Sequence, residues 1–317
     1  VKPWILLVGS VATSFSALAF ELPYGNGTLT DAATPRLELK KTPEKIVAYD
    51  LGVLDTLHAL GVPVVGVPKS TYGGTLADFD KTTVVGTLFE PDYAVLGQIK
   101  PDLIFAGSRS LKAMPELQKT APTVNYTPDP LAFVASVQAS GKALGKAFNK
   151  EAQAEAAIAK LDKTLESLHA ANKGKTGLFL FTINGNLMTH APGDRFGYAY
   201  ELAGLNSVLP ATDPNAPVQA RPEAGSPEAK LAAEKRAETL SKAIQADPDW
   251  LVVLDRGAIN DGKKTAAETL AKHPELSQSR AYKEGRVYYA DPNGWYVVTS
   301  GLANLQAISA DMLKSMK

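Results

Sequence analysis

Cysteine does not occur in the 317 residues. Disulfides, thiol catalysis and Cys-ligated metal are therefore outside this chain's chemistry. Net charge is missing too, because 33 Lys and Arg balance 33 Asp and Glu. Nucleic-acid binders usually carry a basic excess, so that class loses ground. Histidine is scarce: His58, His169, His190 and His273 are the only four, and no two share metal-ligand spacing. Each reads as structural or solvated, with His190 alone near a candidate cleft edge. HExxH, GxSxG and GxGxxG are absent. Gly174-Lys175-Thr176 resembles the tail of a phosphate loop, but the glycine required five positions earlier is His169. No repeat appears, which argues against a structural or adhesion protein.

The uncharged stretch from Pro3 to Phe20 stands apart from the rest. Lys2 precedes an apolar run, Trp4 to Leu18, and Ala17-Leu18-Ala19 fits a small-x-small cleavage site. Residues 1–19 are expected to be a secretory signal peptide. A membrane anchor is the alternative, but the run is marginally short and diluted by Gly9, Ser10, Ser14 and Ser16. With no Cys at the cleavage point, no lipid anchor is expected. The expected location is the periplasm, as an exported protein that is not a lipoprotein.

The apolar residues that remain are ordered. Glu44 to Lys69 reads as a complete strand–helix–strand unit. Ile46–Tyr49 has the β-branched and aromatic content of a buried strand. Asp50 can cap the helix after it. Leu51, Leu54, Leu57 and Leu60 recur at helical spacing, and Gly61 closes the helix. So short a crossover implies parallel strands with right-handed connection. Further strands are expected at 64–67, 83–85, 103–106 and 123–126, with helices at 91–98, 111–119 and 131–147. A second set occupies the C-terminal half: strands at 178–182, 187–189, 250–254 and 287–290, and helices at 196–203, 232–244 and 301–316. The fold class is α/β. Residues 20–43 read as an extended lead-in, 44–148 as an N-terminal lobe and 173–317 as a C-terminal lobe. Residues 149–172 lie between them. Ile158, Leu161, Leu165 and Leu168 line one face there, and no Gly or Pro interrupts. A helix of that size is roughly 30–35 Å long at 1.5 Å per residue, enough to join two lobes. A plain surface helix of a single domain is the other reading.

One echo relates the halves. Lys100-Pro101-Asp102 precedes a strand that ends near Arg109. Asp247-Pro248-Asp249 precedes one that ends near Arg256. In open α/β sheets ligands bind at such carboxyl ends. Arg195, in APGDRFG, and Lys112 are the other cations at candidate edges. Singly, each reads as a solvated surface residue. Together they fit an anionic ligand, since guanidinium presents a planar fork of donors. Trp295 and Tyr296 come after the last strand. Either they pack under the final helix, or Trp295 walls a site and Tyr296 offers a phenol oxygen to a hard metal such as Fe³⁺.

KIVAYDLGVLDTLHALG, KPDLIFAGSRSLK, APGDRFG, VVLDRG and DPNGWYVVTSGL in combination resemble periplasmic ferric-siderophore binding proteins of ABC importers, the catecholate-binding group above all. The resemblance spans about Glu44 to Met316. It implies two Rossmann-like lobes joined by one long rigid helix, the class III periplasmic binding protein fold. Arg109, Arg195 and Arg256 would surround an anionic ferric siderophore, with Lys112 a further cation. Tyr296 would coordinate iron when the chelate is only tetradentate. The loop at 211–230 departs from the pattern, since it has Gln219 and Arg221 but no His. The permease-docking acid of the first lobe is replaced by Ala94, with Glu90 or Asp92 as substitutes and Glu201 on the second lobe. The resemblance implies a transported ligand rather than a permanent cofactor, an inner-membrane ABC permease as partner, and a monomer that is not membrane-embedded. Two competitors stand beside it. A haem or cobalamin binder of the same fold would want an apolar pocket with an axial His or Tyr for haem. An exported hydrolase would need a nucleophile or paired carboxylates, which no motif supplies.

Overall fold

A computed structural model describes residues 20–27, 29, 33–213, 222–260, 262 and 264–316. The expected signal peptide, Gln219 and Arg221 lie outside the described residues. The N-terminal lobe is a six-stranded sheet in the order Gly25–Asn26, Thr123–Thr127, Leu103–Ala106, Ile46–Ala48, Gly66–Lys69, Thr83–Thr87, parallel throughout. Its two central strands, Ile46–Ala48 and Leu103–Ala106, are buried at every position. That is why they read as apolar runs and not as alternations. The C-terminal sheet places Thr176–Ile183 and Trp250–Asp255 side by side, with Val287–Ala290 parallel beyond and Asn186–His190 antiparallel at the edge.

The two halves of the echo do the same mechanical job. Lys100 and Asp247 both leave a helix in the left-handed region, at φ 52° and 51°. Pro comes next, and then an Asp that clamps the neighbouring strand. Asp102 accepts from the Glu44 and Lys45 amides at 3.0 Å each. Asp249 accepts from the Thr176 amide at 2.9 Å. Each clamp fixes where its strand begins, and so where the arginine beyond it emerges.

Residues of the lead-in pair as strands and are not separate from the lobe. Phe20–Pro23 and Arg36–Leu39 form an antiparallel pair, and Gly25–Asn26 adds the outermost strand to the large sheet. Phe20 and Leu22 are fully buried in the N-terminal core. Two apolar residues at period two are too few to register as a strand against the polar background.

Glu151–Ala171 joins the lobes. Ala154 packs in the N-terminal core, whereas Ile158, Leu161, Leu165 and Leu168 pack in the C-terminal one. The last helix, Leu302–Ser315, lies against it. That last helix belongs to the C-terminal core but is capped from the other lobe. Asp55, buried in helix Leu51–Ala59, accepts from the Asn304 amide at 2.9 Å and from the Thr75 hydroxyl. Thr56 accepts from the Leu302 amide at 3.2 Å.

Burial pushes the Asp55 carboxyl up to about 6, against the opposing pull of Thr75, the Asn304 and Ala303 amides and nearby His58. The unfolded chain, with the ordinary value of 3.8, holds this proton less tightly than the fold does. Stability from this group is therefore full below about pH 4 and lost as pH rises through about 6. Urea midpoints measured between pH 4 and 7 should show that decline, and Asp55→Asn should flatten it.

Candidate functional site

Each of the three arginines is delivered by a turn at a strand end. After Leu103–Ala106 the chain turns at Gly107, whose amide donates to the Ser110 hydroxyl at 2.9 Å. A Cβ at Gly107 would sit 2.1 Å from an Asp50 carboxylate oxygen, so only glycine fits. Arg109 then reaches across to the other lobe's segment. Its guanidinium donates to the carbonyls of Tyr296 at 2.5 Å and Val297 at 2.9 Å. Burial and repulsion from Arg195 lower its pKa, and Asp50 and Tyr296 oppose the fall.

Arg195 lies in the turn after Asn186–His190. Asp194 closes that turn by accepting from the Ala191 amide at 2.9 Å. Arg256 comes directly after Trp250–Asp255. Asp255 is buried, and its carboxylate pins the loop by accepting from the amides of Gly257 at 3.0 Å and Ala266 at 2.7 Å.

All three guanidinium groups converge on one ring. The central carbons of Arg195, Arg256 and Arg109 lie 4.7, 5.3 and 5.8 Å from the Tyr296 ring centre. These distances are within cation–π range. Phe181 and Phe196 stack on the same ring at 6.2 and 6.1 Å. Burial alone would raise the Tyr296 hydroxyl. The hydrogen bond from Arg256 and the charges of Arg195 and Arg256 outweigh it, so the phenol is held below its usual value. The arrangement provides a half-buried phenol inside a cationic collar.

Tyr296 is carried on a π-helical turn, Asn293–Val298, closed by the Thr299 amide donating to the Gly294 carbonyl at 2.9 Å. Thr299 ends it at φ 71°, ψ −53°. A β-branched residue there is strained, and such strain persists only where the surroundings impose it. π turns cluster at functional sites for a related reason. Here the turn aims Tyr296 at the opening while Trp295 goes the other way.

Trp295 does not wall the site. It is 0% exposed, stacked on Tyr198 at 5.4 Å within the C-terminal core. Lys112 is exposed on the turn Leu111–Ala113, and among the described residues no ring contact or hydrogen bond joins it to the collar. Glu201 is not a free surface acid. It is half-buried, and its carboxylate accepts from the Phe133 and Val134 amides at 2.9 and 3.2 Å, capping helix Phe133–Ala147. Burial raises its pKa against those two bonds. Glu90 is exposed, and Asp92 caps helix Tyr93–Ile99. Sequence reasoning does not find Asp50 or the Phe181–Phe196 backing as parts of the site. The one signal for Asp50 is its position at the end of the first central strand.

Among the described residues no group of three or more His, Asp or Glu side chains is placed to hold a metal ion. Residues 214–221 contain none of these types. No helix among the described residues is long and apolar enough to cross a membrane.

Two α/β lobes on a joining helix, with a cationic opening at facing strand ends, define a two-lobed ligand-binding protein of the transport type. The sequence agrees: the profile of the family described as "Periplasmic binding protein" matches residues 46–293, and the chain belongs to that family. The petrobactin-binding protein YclQ of Bacillus subtilis is 28% identical over 88% of this chain and 83% of its own. The ferric-anguibactin-binding protein FatB of Vibrio anguillarum is 26% identical over 87% and 83%. The catecholate-siderophore binding protein VctP of Vibrio cholerae, a solved structure, superposes with a TM-score of 0.72 at 27% identity, covering 88% of this chain and 96% of that one.

Proposed function

We propose that this chain captures an anionic ferric siderophore of catecholate type between its lobes and delivers it to an inner-membrane ABC permease. One observation carries the proposal: Arg109, Arg195 and Arg256, from both lobes, surround the single phenol of Tyr296. A ferric tris-catecholate is triply negative, and charge-assisted hydrogen bonds can balance it without displacing its own iron ligands. The names of the relatives support the same ligand class. The flat apolar face of a porphyrin would gain little from three cations.

Within this proposal the arginines divide the work. Arg195 and Arg256 have donors to offer the ligand. Arg109 already commits two to the carbonyls that shape the Tyr296 turn, so it positions the phenol and contributes charge. Tyr296 is the one iron ligand the collar itself supplies. No permanently bound cofactor takes part. Glu90 is the acid we retain for permease docking. The protein acts as a monomer in the periplasm.

Titration with ferric tris-catecholate, monitored by tryptophan fluorescence, tests the proposal. Trp295 adjoins Tyr296, so saturable quenching at one equivalent is the expected result, and a flat trace overturns it. Tyr296→Phe separates denticities. It should weaken a tetradentate ferric chelate, which loses an iron ligand, by at least about tenfold, and leave a hexadentate one within about twofold.

A further inference from the structure

Arg195 serves more than the collar. It also walls a second depression of about 390 Å³, whose other polar walls are Thr189, His190, Asp194, Lys235, Arg236 and Thr239. Lys235, Arg236 and Thr239 belong to the exposed face of helix Pro227–Gln245. Among the described residues neither Lys235 nor Arg236 has an ion-pair partner. Three cations thus face one carboxylate.

That carboxylate is already engaged. Asp194 accepts from the Ala191 amide at 2.9 Å and from the Thr212 hydroxyl. Burial would raise its pKa, but His190, Thr212 and the Ala191 amide together hold it down to about 2. The His190 ring is packed edge-on among Phe179, Phe181 and Phe196. Its buried Nδ1 lies 3.7 Å from Asp194, within ion-pair reach but too far for a hydrogen bond, and has no hydrogen-bond partner. The depression therefore keeps a positive excess that its own acid does not cancel.

We propose that this depression binds a carboxylate arm that the ferric chelate carries outside its iron-binding groups. The transported ligand is then a carboxylate-bearing ferric chelate. This rests on the ferric-siderophore proposal and narrows its ligand class. Arg195 is the shared wall, 4.7 Å from the Tyr296 ring centre on one side and lining the depression on the other. The arm reaches the depression past Arg195, the residue the two places share. There it meets the fork of Arg236, the ammonium of Lys235 and the hydroxyl of Thr239. A single planar carboxylate can engage a fork bidentately and leave the ammonium as a point charge alongside.

The test uses two synthetic ferric catecholate chelates that differ only in a backbone group, a free carboxylate or its primary amide. Both are titrated by tryptophan quenching into the wild type and into the K235A/R236A variant. Alanine suits exposed helical positions, so the fold should persist, and far-UV circular dichroism checks it. The wild type should prefer the carboxylate chelate by about tenfold, the worth of one charge-assisted hydrogen bond, and the variant should show a preference within about twofold. Equal affinities in the wild type, or a preference that survives in the variant, would overturn this inference and leave the siderophore proposal standing. Binding of neither chelate to the wild type would overturn both.

Discussion

Arg195→Ala combined with Arg256→Ala should weaken binding of a ferric tris-catecholate by about three orders of magnitude, since hydrogen bonds to charged groups contribute about 1.5–3 kcal/mol each. These two guanidinium groups lie closest to the Tyr296 ring. They are also the ones whose field holds the phenol below its usual pKa. Removing both takes away the direct contacts and two of the three charges that face the anion. Arg109→Ala would be harder to interpret, because it would also free the Tyr296 and Val297 carbonyls. Dissociation constants from fluorescence titration, with circular dichroism as the fold control, provide the check. An unchanged constant in the double variant would remove the site.

Gly301→Ala should cost about 3 kcal/mol or more of stability, combining a strained backbone with overpacking. Gly301 opens the last helix at φ 98°, a conformation that L residues rarely adopt. An added Cβ would lie 2.4 Å from an Asp55 carboxylate oxygen and 2.6 Å from the Gly52 carbonyl. The second contact is with backbone and cannot rotate away. The same Asp55 caps the last helix through the Asn304 amide, so the clash strikes the junction between lobes. Domains are stable by only about 5–15 kcal/mol, so a shift of this size should appear plainly in the urea midpoint.

How much of the molecule is legible in its sequence depends on the range of the interactions involved. The central strands, the linking helix and its inward face arise from local periodicity, and they appear where Leu and Ile spacing put them. The Lys100-Pro101-Asp102 and Asp247-Pro248-Asp249 echo is visible as text. Its clamping role becomes visible only with the neighbouring strands in place. The collar is legible as three arginines at strand ends, but their shared centre on Tyr296 is not. Trp295 shows why. Adjacent residues on a helical turn point in different directions, so only one of the Trp–Tyr pair faces the opening, and residue type does not say which. Glu201 reads as a surface acid because its partners, the Phe133 and Val134 amides, are 68 and 67 positions away. The positive φ of Thr299 has no sequence signal, since that conformation is imposed from outside the residue.

Charge selectivity tests the central claim most directly. One protein sample is titrated with a triply negative ferric tris-catecholate and with a neutral ferric trihydroxamate of similar size, at low and at high salt. The guanidinium collar should favour the anion by at least about a hundredfold, with affinity falling as salt rises. Equal affinity for the two chelates, indifferent to salt, would contradict it.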